Sequence, residues 1–228
     1  MRPLRVVRMG RIGYAPMLAL QEERHASVVA GTDDDTLFLL EHDPVVTLGK
    51  NSGLDGADYL KRTPHELAAL GIDLHRSTRG GDVTYHGPGQ LVGYPIVQLC
   101  DGEKDIRAFV HLLEEALILA VGELGIVAAR DPEHRGVWVG NDKLAAIGLR
   151  VSRWTTMHGF ALNVATNLSH FDVIVPCGIV GRGVTSIERL LGRAPAMREV
   201  EDRVVRHLAP LIHRTVIADD AKERRHPR

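Results

Sequence analysis

Hydrophobic positions along the chain switch between short continuous runs and spacings of three and four residues, the marks of strands and of amphipathic helices. Residues 4–9 read as a first strand and residues 14–29 as an amphipathic helix. Residues 36–41 and 45–48 are apolar runs parted by Asp43-Pro44, which predicts two strands and a turn. Thr63-Pro64-His65-Glu66 reads as a helix start, with Thr as N-cap, Pro at the first helical position and Glu at N3. That helix should end at Gly71. The strongest helix lies between Asp105 and Gly125. Ile106, Phe109, Val110, Leu113, Ala116, Leu117, Ala120 and Leu124 make one stripe, with Glu114 and Glu115 on its other side. Residues 91–99, 136–139, 143–151 and 157–164 read as strands. Residues 199–212 form a last helix, with Val200, Val204, Leu208 and Leu211/Ile212 as its buried stripe. Adjacent strands mixed with helices predict an α/β (α+β) layer fold around a mixed central sheet.

No repeat and no Ser- or Pro-rich linker divides the sequence, so a single domain over residues 1–228 is expected, with a core of about 4–212 and a frayed, charged tail at 219–228. Hydrophobic residues make up 44% and charged residues 25%, the balance of a soluble globular enzyme. Lys+Arg 28 against Asp+Glu 29 leaves a net charge of -1, so no bulk field favours nucleic acid or anionic membranes. Aromatic residues are only 4%, which argues against a base-stacking platform. Two cysteines, Cys100 and Cys177, are too few for a disulfide framework and suit a reducing, cytoplasmic compartment. Arg2, Arg5, Arg8 and Arg11 break up any secretory h-region. Glu114, Glu115 and Glu123 interrupt the best candidate for a membrane span.

Most familiar motifs are missing. There is no G-x-x-x-x-G-K-[ST], no dinucleotide fingerprint, no H-E-x-x-H, no C-x-x-C and no G-x-S-x-G, so no P-loop, no metal site and no common serine-hydrolase elbow is expected. Three stretches remain. The first is Arg79-Gly80-Gly81-Asp82-Val83-Thr84-Tyr85-His86-Gly87-Pro88-Gly89-Gln90, a short polar strand bracketed by conformationally special residues. Paired glycines let backbone pass close to a ligand. Arg79 and His86 supply a fixed cation and a titratable group. A bare hairpin needs neither, so a site is the favoured reading. The second is Lys143-Leu144-Ala145-Ala146-Ile147-Gly148-Leu149-Arg150. Strand alternation groups Lys143 with Ala145, Ile147 and Leu149, and partial burial there would make its neutral amine available. A strand-end lysine snorkelling to water is the commoner fate. Gly148 and, further on, Gly159 stand in strands, where glycine suggests a close approach to backbone. The third is Pro176-Cys177-Gly178-Ile179, a sharp loop that can expose a thiol among free backbone N–H groups. Cys100, at the end of an apolar strand, suits a small buried hydrophobe better.

Taken together, R-G-G-x-x-T-Y-H-G-P-G-Q, K-L-A-A-I-G-L-R…H-G-F-A-L-N-V and P-C-G-I resemble the octanoyltransferases, or lipoyl(octanoyl) transferases, of protein lipoylation in identity, order and spacing. The resemblance covers about residues 36–188, and Lys50 stands where Arg is common in that family. It implies the mixed-sheet fold shared with biotin and lipoate ligases. It also implies an octanoyl (or lipoyl) group taken from the phosphopantetheine thioester of acyl carrier protein. The acceptor would be a lysine on the lipoyl domain of a 2-oxoacid dehydrogenase E2 subunit or on the glycine-cleavage H protein. Cys177 would form the acyl-thioester and Lys143 would act as acid and base. Arg79, Gly80, Gly81, Asp82, Val83, Thr84, Tyr85, His86, Ala146, Ile147, Gly148, Gly159, Phe160 and Ala161 would line the acyl pocket. Neither ATP nor metal would be needed.

Three rivals share parts of this pattern. An ATP-dependent ligase of the same fold would need no cysteine, and the G-R-G-R-x-G-R-x-W stretch of biotin ligases is missing here. A catalytically silent adaptor would have no use for Cys177 and Lys143. A papain-like hydrolase would need a later histidine base, and His207, His213 and His226 fall in a helix or the tail.

Overall fold

Strand β1 (Arg2–Ile12) runs into helix α1 (Tyr14–Ala30). The helix closes on Gly31, whose φ of 70° is the left-handed conformation that glycine adopts without strain. The chain returns as β2 (Asp35–His42), parallel to β1, so α1 is the crossover of a β-α-β unit and covers one sheet face. Next come β3 (Val45–Leu48), α2 (Pro64–Ala69), β4 (Asp73–Arg76) and β5 (Val83–His86). They are followed by β6 (Gln90–Ile96), α3 (Ile106–Gly122), β7 (Ala129–Arg130) and β8 (Val137–Val139). After β9 (Asp142–Ser152) and β10 (Thr155–Asn163) stands a 3-10 turn, Leu168–Val173. The chain continues as β11 (Gly183–Val184), α4 (Ile187–Leu191), α5 (Met197–Leu211) and β12 (Arg214–Asp220). The structure, a computed structural model, describes residues 1–53, 59–175 and 182–220, the last three by their backbone alone.

Among the described residues the strands form two sheets. The large one runs β12-β1-β2-β6-β10-β9-β8-β7, with β11 joined to β9, and mixes parallel with antiparallel pairs. The small one is β4-β3-β5. Period-two alternation sorts the side chains of the large sheet onto two faces. On β2, Leu37 and Leu39 pack under α3 and α5, against Phe109, Leu113, Leu117, Val200, Val204 and Leu208. Phe38 and Leu40 face the other way, with Met17 and Val28 of α1. The small sheet closes its own cluster, in which Val46, Leu67, Val83, Tyr85 and Phe171 meet.

Helix starts follow the local signals. Thr63 and Glu66 form the reciprocal capping box, with Pro64 in the first turn, and Asp105 caps α3 by accepting from the Arg107 and Ala108 amides at 2.8 and 3.0 Å. Two expectations about α3 need correction. Ile106 is 42% exposed. Glu114 is 3% exposed instead of on the solvent side, because its carboxylate accepts from the Gly136 amide at 2.9 Å and pairs with Arg130 at 3.3 Å. A buried carboxylate with both partners satisfied can replace an apolar residue in a helix stripe. The chain end also differs from expectation. β12 pairs with β1 through Asp220, so residues 219–220 belong to the sheet. Buried Arg214 anchors that strand by binding Asp35 at 2.6 Å and Glu103 at 2.7 Å.

Candidate active site

A cavity of about 440 Å³ lies between the large sheet and the small one, within reach of β5, β6, β9, β10 and the start of α1. The Arg79-Gly80-Gly81-Asp82 segment roofs it. One edge of this segment is held by the small-sheet side: the Gly49 amide donates to Asp82 O at 2.8 Å and the Lys50 amide to Arg79 O at 3.0 Å. The other edge is held by the large sheet, through the Gly80 amide to Leu149 O at 2.9 Å. A Cβ on Gly148 would lie 2.9 Å from Gly80 O and 3.2 Å from Arg79 Cδ, so glycine there admits the roof. Gly159 has a different task. A Cβ there would lie 2.1 Å from Gly93 O, so its absence lets β10 close onto β6.

The motif is also not a hairpin. β5 belongs to the small sheet and β6 to the large one. The Gly87-Pro88-Gly89 corner carries the chain between them, with Gly89 at φ 79° and Gln90 N donating to Gly87 O at 3.1 Å.

Lys143 sits where β9 changes register. Val137 pairs with Ala145 but Trp138 pairs with Lys143, which places a bulge in β9. The grouping of Lys143 with Ala145, Ile147 and Leu149 therefore fails. Ala145, Ile147 and Leu149 pack on the α3 core, while Lys143 borders the cavity with Ala146 and Gly148. Ile147 and Leu149 reach the cavity wall as well. Beyond the last β10 partner of β9, β11 takes over: Val184 pairs with Lys143. The half-buried Lys143 ammonium lies 4.8 Å from the centre of the Trp138 ring.

The cavity interior is ringed by imidazoles and phenols. His86 donates from Nδ1 to Gln90 Oε1 at 2.8 Å, and Gln90 Nε2 donates to Asn163 Oδ1 at 3.0 Å. Tyr94 donates its hydroxyl to His42 Nε2 at 2.8 Å, while His42 Nδ1 donates to Ile12 O at 2.8 Å. His158 bonds Thr78 Oγ1 through Nε2 at 3.0 Å. Its φ of 60° is exceptional for a residue inside a strand. Alternation would place His158 with Phe160 and Leu162 under α3. The left-handed backbone turns its ring toward Tyr94 and Thr78 instead.

Burial pushes His42 down to about 4. It pushes His86 to about 3, helped by His42 and Arg79, and His158 to about 3, helped by Arg79 and Arg150. All three are neutral at pH 7, so His86 is a fixed hydrogen-bonding group and not the titratable one expected from sequence. Arg79 is the buried cation. It is 9% exposed, and its guanidinium donates to Thr47 O at 2.7 Å and to Gly80 O at 3.2 Å.

Of the residues singled out from sequence, Arg79, Gly80, Gly81, Asp82, Val83, Thr84, His86, Lys143, Ala146, Ile147, Gly148, Gly159, Phe160 and Ala161 border this one cavity. Tyr85 does not. Its ring turns into the small-sheet cluster against Phe171, and its hydroxyl bonds His170 Nδ1 at 2.7 Å. Cys177 lies outside the described residues, as do Pro176, Gly178 and Ile179. Tyr14, Tyr94 and His158 also border the cavity. Tyr14 and Tyr94 stand in ordinary helix and strand patterns with no local signal, whereas His158 directly precedes Gly159 in the H-G-F stretch.

The site thus joins a mixed sheet with helices on both faces to a cavity roofed by the Arg79–Asp82 segment, with a strand lysine at its edge. The family described as "Lipoyl protein ligase A/B catalytic domain" matches residues 13–209, and the chain belongs to it. An octanoyltransferase of Solibacter usitatus (strain Ellin6076) is 51% identical over 205 residues, covering 88% of this chain and 89% of that protein. An octanoyltransferase of Caldicellulosiruptor saccharolyticus is 48% identical over 206 residues, covering 90% of this chain and 86% of the other. The fold also matches a bipartite lipoate protein ligase, described with its E2 lipoyl domain, from Thermoplasma acidophilum. There the TM-score is 0.77 at 19% identity, over 97% of this chain and 89% of that one. Among the described residues, no helix is long and apolar enough to cross a membrane.

Proposed function

We propose that this chain is an octanoyltransferase that moves an eight-carbon acyl group from the phosphopantetheine thioester of acyl carrier protein to a lysine of a lipoyl domain. The observation that carries the reading is the cavity of about 440 Å³ with Lys143 at its edge, in a chain 51% identical to an octanoyltransferase. Pockets of roughly 300–1,000 Å³ hold small ligands, and each methylene buried in one contributes ~0.8 kcal/mol.

Cys177 is the proposed nucleophile. Its thiolate attacks the thioester carbonyl, the acyl–sulfur bond to pantetheine breaks, and the Lys143 ammonium gives its proton to the departing thiolate. In the second half-reaction the acceptor amine attacks the Cys177 thioester. Neutral Lys143 takes a proton from that amine, and the Cys177 thiolate leaves. Protons and charges balance over the cycle, and the exchange of one thioester for another requires neither ATP nor metal. Acceptors would be E2 lipoyl domains and the glycine-cleavage H protein, in a reducing cytoplasm that keeps the thiol free.

The test uses octanoyl-acyl carrier protein and an apo lipoyl domain without ATP. Octanoylated domain should accumulate with ping-pong kinetics. A strict requirement for ATP and free octanoate would instead assign the chain to the ligases.

A further inference from the structure

Lys143 carries its ammonium on a long flexible stem, and a residue that must give and take a proton at one place needs that stem held. The structure supplies a holder that the reaction scheme does not use. Trp138 is 4% exposed, lies beside Lys143 across the β8–β9 pair, and donates from Nε1 to His134 O at 3.0 Å. The Lys143 ammonium is 4.8 Å from the centre of its ring. A second cation shares the indole: the Arg182 guanidinium carbon is 4.9 Å from the same centre.

Two positive charges on one ring would ordinarily repel, but Arg182 is ion-paired with the Asp131 carboxylate. That carboxylate also accepts from the Glu133 and His134 amides at 2.9 and 2.8 Å. Asp131 therefore neutralises Arg182 and fixes the loop whose His134 carbonyl anchors the indole.

We propose that Trp138 is the positioning residue for Lys143, its indole face holding the amine at the cavity edge, with the Arg182–Asp131 pair locking the indole in place. This rests on the reading of Lys143 as acid and base. Cation–π attraction is strongest for tryptophan and acts within about 6 Å of the ring centre. The ring therefore selects the lysine rotamers that point at the cavity.

The chain has two tryptophans, so a Trp154→Phe variant makes Trp138 the sole indole. In that background, Lys143→Met should change the intensity or wavelength of Trp138 emission at neutral pH; an unchanged spectrum overturns the proposal. In kinetics, Trp138→Phe should hold kcat within about threefold, and Trp138→Leu should lower it by about tenfold with KM for both protein substrates unchanged. Equal rates for the Phe and Leu variants overturn the proposal. If the Leu variant does not fold, the emission spectrum decides alone. Full activity in Lys143→Ala together with the spectral response would sink the acid/base role and leave the contact standing. Lost activity without a spectral response would do the reverse.

Discussion

The two faces of the large sheet are built from different chemistry. Under α3 and α5 the contacts are almost wholly aliphatic and aromatic, from Leu4 and Leu37 through Leu113 to Leu208. On the opposite face the apolar cluster under α1 gives way to Arg79, His42, His86, His158, Gln90, Asn163 and Tyr94, each buried and hydrogen-bonded. Burying uncharged carbon stabilises a fold with no geometric demand beyond filling space. Burying polar groups costs free energy unless every partner is in place. The first face is where stability comes from, and the second is where it is given up to shape and dress a cavity.

Substitutions on the two faces should therefore separate stability from turnover. The largest effect is expected for Lys143→Ala, which should lower turnover by ~10²–10⁴-fold, the usual range for a lost acid/base group. Its melting temperature should stay near wild type, and a matching loss of stability would show that Lys143 is structural. Leu113→Ala, on the other face, should cost about 3 kcal/mol in denaturant unfolding. The folded fraction should keep its kcat/KM, so a specific kinetic defect would erase the division between the faces.

Acid sharpens the contrast further. Burial holds His42 near 4 and His86 and His158 near 3, below their unfolded value of about 6.5. The unfolded chain thus takes up protons first as pH falls. Stability is intact above about pH 6.5 and declines toward the folded values, by about 2 kcal/mol per histidine at pH 5. Comparing melting temperatures at pH 7.5 and 5 should show a smaller drop in His42→Gln than in wild type; equal drops would refute the neutral cluster. Smallest is Gly148→Ala, whose Cβ would lie 2.9 Å from the Gly80 carbonyl oxygen, so the roof backbone must shift to admit it. It should raise KM for the acyl donor several-fold at a stability cost of about 1 kcal/mol.

Much of this division was legible in the sequence. Period-two and three-four spacing marked most strands and helices, and Thr63 to Glu66 spelled out its cap. The glycine-rich stretch and the lysine strand were recognisable because glycine and paired motifs leave local traces. What escaped depends on contacts between distant segments. Glu114 is buried because Gly136 and Arg130 meet it. The alternation around Lys143 fails because a bulge opposite Trp138 shifts the register. His158 turns toward the cavity through a single left-handed residue. No spacing rule encodes any of these. Tyr85 is different: alternation along β5 turns it into the small-sheet cluster, away from its neighbours Thr84 and His86.

Intact-mass spectrometry of the protein mixed with octanoyl-acyl carrier protein, with no acceptor present, tests the proposed chemistry most directly. One octanoyl group should appear on the wild-type chain, be released by hydroxylamine and be passed on when lipoyl domain is added. It should be missing from Cys177→Ser. An acylated Cys177→Ser chain with wild-type transfer, or a wild-type enzyme that modifies lipoyl domain while never carrying the acyl group, would contradict it.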